Sequence, residues 1–256
     1  MKIVIFTNKL KDPDLTVTRA AEGVLRETGA ECALFEEDPA VFNGAYAALS
    51  LGGDGTFLRC AQYAAPRGVA VLGVHLGHTG YLSRIHPERL EELKDIASFA
   101  VRERSVLESA GRIAINDFTF SRGMAVQTVS LEIDVNGHPL GSFLGDGVII
   151  SSATGSTGYA MSAGGPVIDP RLAAMLVTPI CAHTSRTHSF VLAPGRTVTV
   201  APSYTERRQI YLSADGGEPR RLEPGERIAI RVPDKPLLCL VPKGHNFFDN
   251  VRIHRL

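Results

Sequence analysis

Leu51-Gly52-Gly53-Asp54-Gly55-Thr56-Phe57-Leu58 stands where one periodicity stops and another begins. Residues 46–51 are a short apolar run, and residues 56–65 return to helical spacing. On the N-terminal side, residues 2–6 form a β-branched strand. Asp12, Asp14 and Thr16 then offer caps for a helix that places Ala20, Ala21, Val24 and Leu25 on one face, and Gly29 closes it. Residues 31–35 and 69–74 read as further strands, and residues 87–97 as a helix with Pro87 in its first turn. Such alternation predicts an N-terminal α/β domain with an open, mostly parallel sheet. Open sheets bind ligands where strands end and helices begin, which is where the glycines fall. Without Cβ atoms, the backbone passes close to a bulky anion, and N–H groups at the helix start face its oxygens. The segment is neither a Walker A loop nor GxGxxG. A carboxylate beside phosphate is electrostatically unfavourable, so Asp54 reads as a general base or hydroxyl acceptor. The plainer alternative is a tight turn with Asp54 as N-cap.

The 256 residues carry 27 Lys+Arg against 27 Asp+Glu, so no basic field draws the chain to nucleic acid or anionic lipid. No apolar run reaches the roughly 18–20 residues of a membrane helix. The N-terminus turns polar too soon for a signal peptide and reads as a first strand. Cys32, Cys60, Cys181 and Cys239 are widely spaced and read as small buried hydrophobes in a reducing compartment, so a cytoplasmic location is expected.

Near residue 100 the period changes. Residues 101–107 and 110–120 read as strands, and residues 124–135 alternate, with Val129, Leu131, Ile133 and Val135 on one face. Asn136-Gly137 then supplies a hairpin turn. Short β-rich runs follow at 148–151, 175–180, 197–200, 209–213, 227–232 and 236–241, with a helix only around 157–164. An all-β, sandwich-like C-terminal domain is predicted. Residues 99–243 are assigned to it, and residues 1–98 plus 244–256 to the α/β domain, the tail packing back on the latter. Residues 141–165 hold seven glycines and seven Ser or Thr around the apolar Val148-Ile149-Ile150. Hydroxyls and amides crowded at 154–162 beside Tyr159 suit a nucleoside or sugar. The competing reading is a buried crossover loop whose hydroxyls satisfy local backbone.

Together, Gly52-Gly53-Asp54-Gly55-Thr56 and Thr154-Gly155-Ser156-Thr157-Gly158-Tyr159, with Ser162-Ala163-Gly164-Gly165-Pro166, resemble the NAD kinase family. Further landmarks follow in order: Gly73-Val74-His75-Leu76-Gly77-His78-Thr79-Gly80-Tyr81-Leu82, Ala114-Ile115-Asn116-Asp117, Thr178-Pro179-Ile180-Cys181-Ala182-His183 and Ser213-Ala214-Asp215-Gly216. The resemblance runs from about residue 50 to the C-terminus. GGDG by itself is shared with lipid kinases and phosphofructokinases, whereas the ordered set is specific.

The resemblance implies a kinase that moves the terminal phosphoryl group of ATP to the 2′-hydroxyl of the adenosine ribose of NAD, in a site between the two domains. Asp54 would be the general base, and Gly52, Gly53, Gly55 and Thr56 the ATP phosphate loop. Asn116 and Asp117 would hold ribose hydroxyls. His75 would line the pocket or bond a backbone carbonyl, and Tyr81 would stand where a Phe lies near the adenine. Thr157, Gly158, Tyr159 and Ser162 would complete the NAD pocket with Asp54 and Gly55. Asp146 would face the nicotinamide half, including across a subunit boundary. Mg²⁺ would arrive with ATP, and the family implies a homo-oligomer, dimer or tetramer. Asp117 replaces the commoner Glu, Gly158 the usual Ala and Thr79 the usual Leu. Rival readings are a lipid or sugar kinase of the GGDG superfamily and a non-catalytic NAD-sensing module. The pairs His75/His78 and His183/His188 lack further ligands at zinc spacing, so no metal site is assigned.

Overall fold

The computed structural model describes residues 1–77, 80–123, 127–183, 188–203 and 209–247. The chain opens with β1 (Lys2–Thr7), whose Ile3-Val4-Ile5-Phe6 are all buried. A continuous apolar run is what a parallel strand covered on both faces requires. Helix α1 (Thr16–Glu27) is capped from a distance: the Asp12 carboxylate accepts the Val17 N–H (3.2 Å), the Thr18 N–H (2.9 Å) and the Thr18 hydroxyl (2.7 Å). Its apolar stripe buries Ala21, Val24 and Leu25, and Gly29 follows at φ 78°. Strand β2 (Glu31–Leu34) pairs parallel to β1. Strand β3 (Ala47–Gly52) runs parallel to β1, α2 (Asp54–Ala64) follows it, and β4 (Ala70–His75) runs parallel to β3. Both β3 and β4 are buried throughout.

Residues Pro87–Ser98 are helical where the sequence suggests, with Pro87 in the first turn, but as 3₁₀ turns broken at Arg89 (φ −118°, ψ 25°). The buried Leu90, Leu93 and Ile96 recur every third residue, which suits a helix of three residues per turn. Strand β5 (Ala100–Arg104) ends this part.

The antiparallel part begins with β6 (Leu107–Ser109), β7 (Arg112–Ala114), β8 (Asp117–Arg122), β9 (Val129–Val135), β10 (His138–Gly145) and β11 (Gly147–Ser152). The short helix α3 (Tyr159–Ser162) follows a 3₁₀ turn at Thr154–Thr157. Then come β12 (Met175–Ile180), β13 (Phe190–Leu192), β14 (Thr197–Pro202), β15 (Ile210–Ala214), β16 (Arg220–Arg221) and β17 (Ile228–Arg231). They make two sheets, β10-β9-β14-β17-β6-β7 and β13-β12-β11-β8-β15-β16. Leu131, Ile133, Val198 and Val200 of one and Phe118, Phe120, Val148 and Ile150 of the other join a single core, as in a sandwich. Asn136 (φ 53°) and Gly137 (φ 83°) make the expected hairpin turn, with His138 opposite Val135. The strand expected at 110–120 starts late, because Ala110 and Gly111 both turn at positive φ, and it breaks between β7 and β8 at residues 115–116, whose N–H groups go to the Asp215 carboxylate.

Strand β18 (Leu237–Val241) returns to the first sheet, pairing Cys239 with Val71 in parallel, and completes the order β2-β1-β3-β4-β18-β5. The chain thus divides into Arg104–Asp234 and a unit of Met1–Glu103 with the chain from Lys235 onward. Reading by period alone leaves β5 and β18 in the β domain: β18 because a short buried parallel strand and a sandwich strand have the same apolar signature, and β5 because its exposed Val101, Arg102 and Glu103 carry no burial signal. The packing expected of the tail beyond residue 247 lies outside the described residues, as do His78 and Thr79. No helix among the described residues is long and apolar enough to cross a membrane. Of the four cysteines, Cys60 and Cys239 are buried and Cys32 half-buried, but Cys181 is exposed at φ 46°, against the expectation for it.

Candidate active site

The GGDG turn is built by close approach. The Gly52 carbonyl accepts the Leu76 N–H (2.9 Å), tying the end of β3 to the segment after β4. A Cβ at Gly52 would overlap the Thr56 side chain, so no other residue fits without displacing the first turn of α2. Gly53 is the N-cap, and its carbonyl accepts the Thr56 and Phe57 N–H groups, both at 3.0 Å. Asp54 is the first helical residue. Thr56 is buried and its hydroxyl accepts from Asn8 Nδ2 (3.2 Å), so it braces the loop from inside, unlike the more open Gly53, Asp54 and Gly55.

Asp54 does not cap its own helix. Its Oδ2 accepts the Tyr81 N–H (2.8 Å) and its Oδ1 the Leu82 N–H (3.1 Å). Gly80 is obligatory here, since a Cβ would collide with the carboxylate. Two donors on separate oxygens fix the plane of the half-buried carboxylate, and among the contacts of the described residues each oxygen keeps a second acceptor position. The chemistry left to it is acceptance of a proton or a hydroxyl hydrogen bond. Burial, and after it the charge of Asp54, pushes the Tyr81 phenol up. His75, at the end of β4, is 1% exposed; its Nδ1–H donates to the Gly77 carbonyl (3.2 Å) and its ring meets His86 edge-on at 3.7 Å. Burial holds its pKa below the ordinary range, which keeps the imidazole neutral at pH 7. It therefore bonds a carbonyl, one of the two expected roles.

In the other unit, a second carboxylate gathers backbone donors. Asp215, at φ 50°, accepts the N–H groups of Ile115 (2.8 Å), Asn116 (2.7 Å) and Asp117 (3.2 Å), and returns its own N–H to the Asp117 carbonyl (2.9 Å). The Asn116 carbonyl accepts the Ser152 N–H (2.8 Å), and a Cβ at Gly155 would collide with it. Asn116 is half-buried, with its amide beside Gly158: a Cβ there would lie 3.3 Å from Nδ2. Glycine in place of the usual alanine thus leaves the Asn116 amide more room.

Asn116 and Asp117 part company in the structure. Asp117 is 5% exposed and its carboxylate accepts the Thr119 hydroxyl (2.9 Å). Burial, and to a lesser degree the Asp215 charge, raises its pKa to about 6. Three hydroxyls of the Gly/Ser/Thr segment are spent on backbone carbonyls, while those of the buried Ser151 and Thr154 have no hydrogen-bond partner among the described residues. Ser152 donates to the Ile115 carbonyl (2.6 Å), Ser156 to the Ala153 carbonyl (2.7 Å) and Thr157 to the Thr154 carbonyl (3.2 Å). That is the crossover-loop reading for Ser152, Ser156 and Thr157, whereas Tyr159, 48% exposed, and the exposed Ser162 present their side chains outward. Asp146 pairs with Arg122 Nε at 2.8 Å. Among the described residues, no three His, Cys, Asp or Glu side chains gather as a metal site.

Two residues outside the expected set matter to these geometries. Asp215 stands in a quoted motif, but its role rests on contacts about a hundred residues away. Lys11, whose ammonium donates to the Leu76 carbonyl (3.1 Å) beside Gly53, carries no signal beyond its place after a parallel strand.

Residues 36–97 match the family model of the ATP-NAD kinase N-terminal domain and residues 115–240 that of the ATP-NAD kinase C-terminal domain. The NAD kinase of Symbiobacterium thermophilum is 39% identical, over 79% of this chain and 75% of that protein. That of Caldanaerobacter subterraneus subsp. tengcongensis is 30% identical over 98% and 97% of the two chains. An NAD kinase from Archaeoglobus fulgidus, solved in complex with ATP, superposes with a TM-score of 0.84 at 26% identity, over 98% of this chain and 99% of that one. The yeast NADH kinase complexed with NADH shares the fold, with a TM-score of 0.82 at 22% identity over 100% and 87%.

Proposed function

Because the chain belongs to the NAD kinase family and is an ATP-dependent NAD kinase, we propose that Asp54 is its general base. The observation that carries this is the carboxylate's tether to the Tyr81 and Leu82 N–H groups, which orients it and leaves acceptor positions open. In the reaction a bond forms between the ribose O2′ and the γ-phosphorus. The bond from that phosphorus to the β–γ bridging oxygen breaks, its electron pair leaves on ADP, and the hydroxyl proton passes to Asp54. Phosphoryl transfer asks mainly for positioning and charge stabilisation, so one oriented base suffices at this position.

Gly53 and Gly55 give the triphosphate its close approach, with Gly52 and Thr56 bracing the turn. Asn116, Tyr159 and Ser162 are the side chains best placed to meet the dinucleotide, while Thr157 and Gly158 shape its pocket. Asp117, buried with its carboxylate on the Thr119 hydroxyl, acts indirectly by holding the start of β8 next to Asn116, His75 acts through the Gly77 carbonyl, and Tyr81 offers its ring. Asp146 enters as the Arg122-paired group at the nicotinamide half. Mg²⁺ would come with ATP, held by phosphate and water oxygens, and supply charge neutralisation on the transferring group. A homo-oligomer is supported by the edge strand β13, which exposes Phe190 (36%) and Val191 (54%). The scattered cysteines support a cytoplasmic location.

The test is to incubate purified protein with ATP, Mg²⁺ and NAD and to follow NADP, with Asp54→Asn in parallel. NADP from the wild type and a large loss in the variant are expected; equal rates would contradict the assignment. Replacing NAD with NADH, and ATP with polyphosphate, defines acceptor and donor preference.

A further inference from the structure

We propose that Lys11 is a phosphate-binding residue of the ATP site, supplying the positive charge that the GGDG turn lacks. The loop after β1 is fastened on both sides of it. The Asn8 N–H donates to the Leu51 carbonyl (2.9 Å), and the Asn8 carbonyl accepts the N–H groups of Lys11 (2.9 Å) and Asp12 (3.0 Å). The Asn8 amide reaches Thr56 at the base of the turn (3.2 Å), and Asp12 is committed to the start of α1. The Lys11 side chain therefore has a defined direction. Its ammonium donates to the Leu76 carbonyl (3.1 Å), lies 3.3 Å from where a Cβ on Gly53 would stand and 3.9 Å from the equivalent point on Gly77. These are the C-terminal ends of β3 and β4, the edge at which open parallel sheets hold ligands.

Charge and valence agree with this placement. An ammonium has three donors, and Leu76 takes one. Lys94 is paired with Glu27 and Glu91, but among the described residues no carboxylate forms an ion pair with Lys11. The turn itself carries the negative Asp54, so a triphosphate brought to its N–H groups meets repulsion that a neighbouring point charge offsets. Glycine at 53 keeps open the space that both the ammonium and a phosphate oxygen need.

The inference rests on reading the GGDG turn as the triphosphate loop, and its test separates the two claims. Lys11→Met and Lys11→Arg are compared with wild type in steady-state NADP formation and, without NAD, in calorimetric binding of Mg²⁺–ATP and of inorganic tripolyphosphate. Lys11→Met should lower kcat/KM for ATP by about 10- to 100-fold, the range a charged hydrogen bond carries. It should leave KM for NAD within about twofold, weaken tripolyphosphate binding in proportion, and be largely rescued by Lys11→Arg. ATP kinetics and tripolyphosphate binding both unchanged in Lys11→Met would overturn it. So would a loss shared equally by ATP and NAD with a lowered Tm, which marks a structural role. A wild type that binds tripolyphosphate through Lys11 but makes no NADP would contradict the reaction and leave this inference standing.

Discussion

Asp54 and Asp215 perform the same local act with different consequences. Each draws backbone N–H groups of a distant segment onto its carboxylate, two for Asp54 and three for Asp215. Asp54 stands on the first turn of a helix and spreads its two donors over both oxygens, so acceptor capacity remains. Asp215 receives three donors, two of them on Oδ1, and also locks its own N–H to Asp117. On the proposed assignment the first is oriented for chemistry, whereas the second is a latch that sets the course of residues 115–117. A carboxylate's role follows from what its donors leave unused.

The comparison can be broken from the latch side. Asp215→Ala leaves three N–H groups without their charged acceptor, and a loss of about 3–5 kcal/mol in stability is expected. Urea unfolding checks it; a loss below about 1 kcal/mol would mean that the latch is dispensable. Asp117 gives the next effect. Its folded pKa of about 6 lies above the unfolded value of about 3.9, so the folded state binds the extra proton in that window. Stability should therefore be highest below pH 4 for this group and decline by about 3 kcal/mol in all as pH rises through 6. Asp117→Asn should flatten that decline in unfolding curves taken from pH 4 to 7. The smallest effect belongs to Gly158→Ala. The added Cβ crowds the Asn116 amide and should change KM for NAD by about threefold, near 0.6 kcal/mol, with kcat retained.

Where the chain alternates between period 2 and period 3.6 on its own surface, the fold was legible. The β1–α1 and β3–α2 units and the Val129–Val135 strand stand where their apolar residues put them. The assignment of β18 was not, because membership of a sheet depends on the neighbouring strand and not on the run itself. At the site, the glycines of the GGDG turn announce close approach, so Gly52 was readable as a special position, whereas the crowding of Gly155 against the Asn116 carbonyl was not. The partner of a carboxylate is not written nearby: Asp54 meets N–H groups 27 and 28 residues on, Asp215 those about a hundred residues back. Hydroxyl richness at 152–157 was plain, but which hydroxyls are spent on carbonyls needed coordinates. The balanced net charge also changes meaning. It excludes a strong overall basic field, yet one ammonium fastened above the Gly-rich turn is compatible with it.

The most direct measurement concerns Asp54→Asn: kcat for NADP formation at saturating ATP and NAD, set against calorimetric binding of NADP to the same preparation. General-base catalysis contributes about 10²–10⁴-fold. The expected result is a fall in kcat of that size, with NADP binding within about tenfold of wild type. A kcat within tenfold of wild type, or a loss matched by equal loss of NADP binding, would contradict the account. Asp54 would then serve only to hold the Tyr81–Leu82 segment, as Asp215 holds its own.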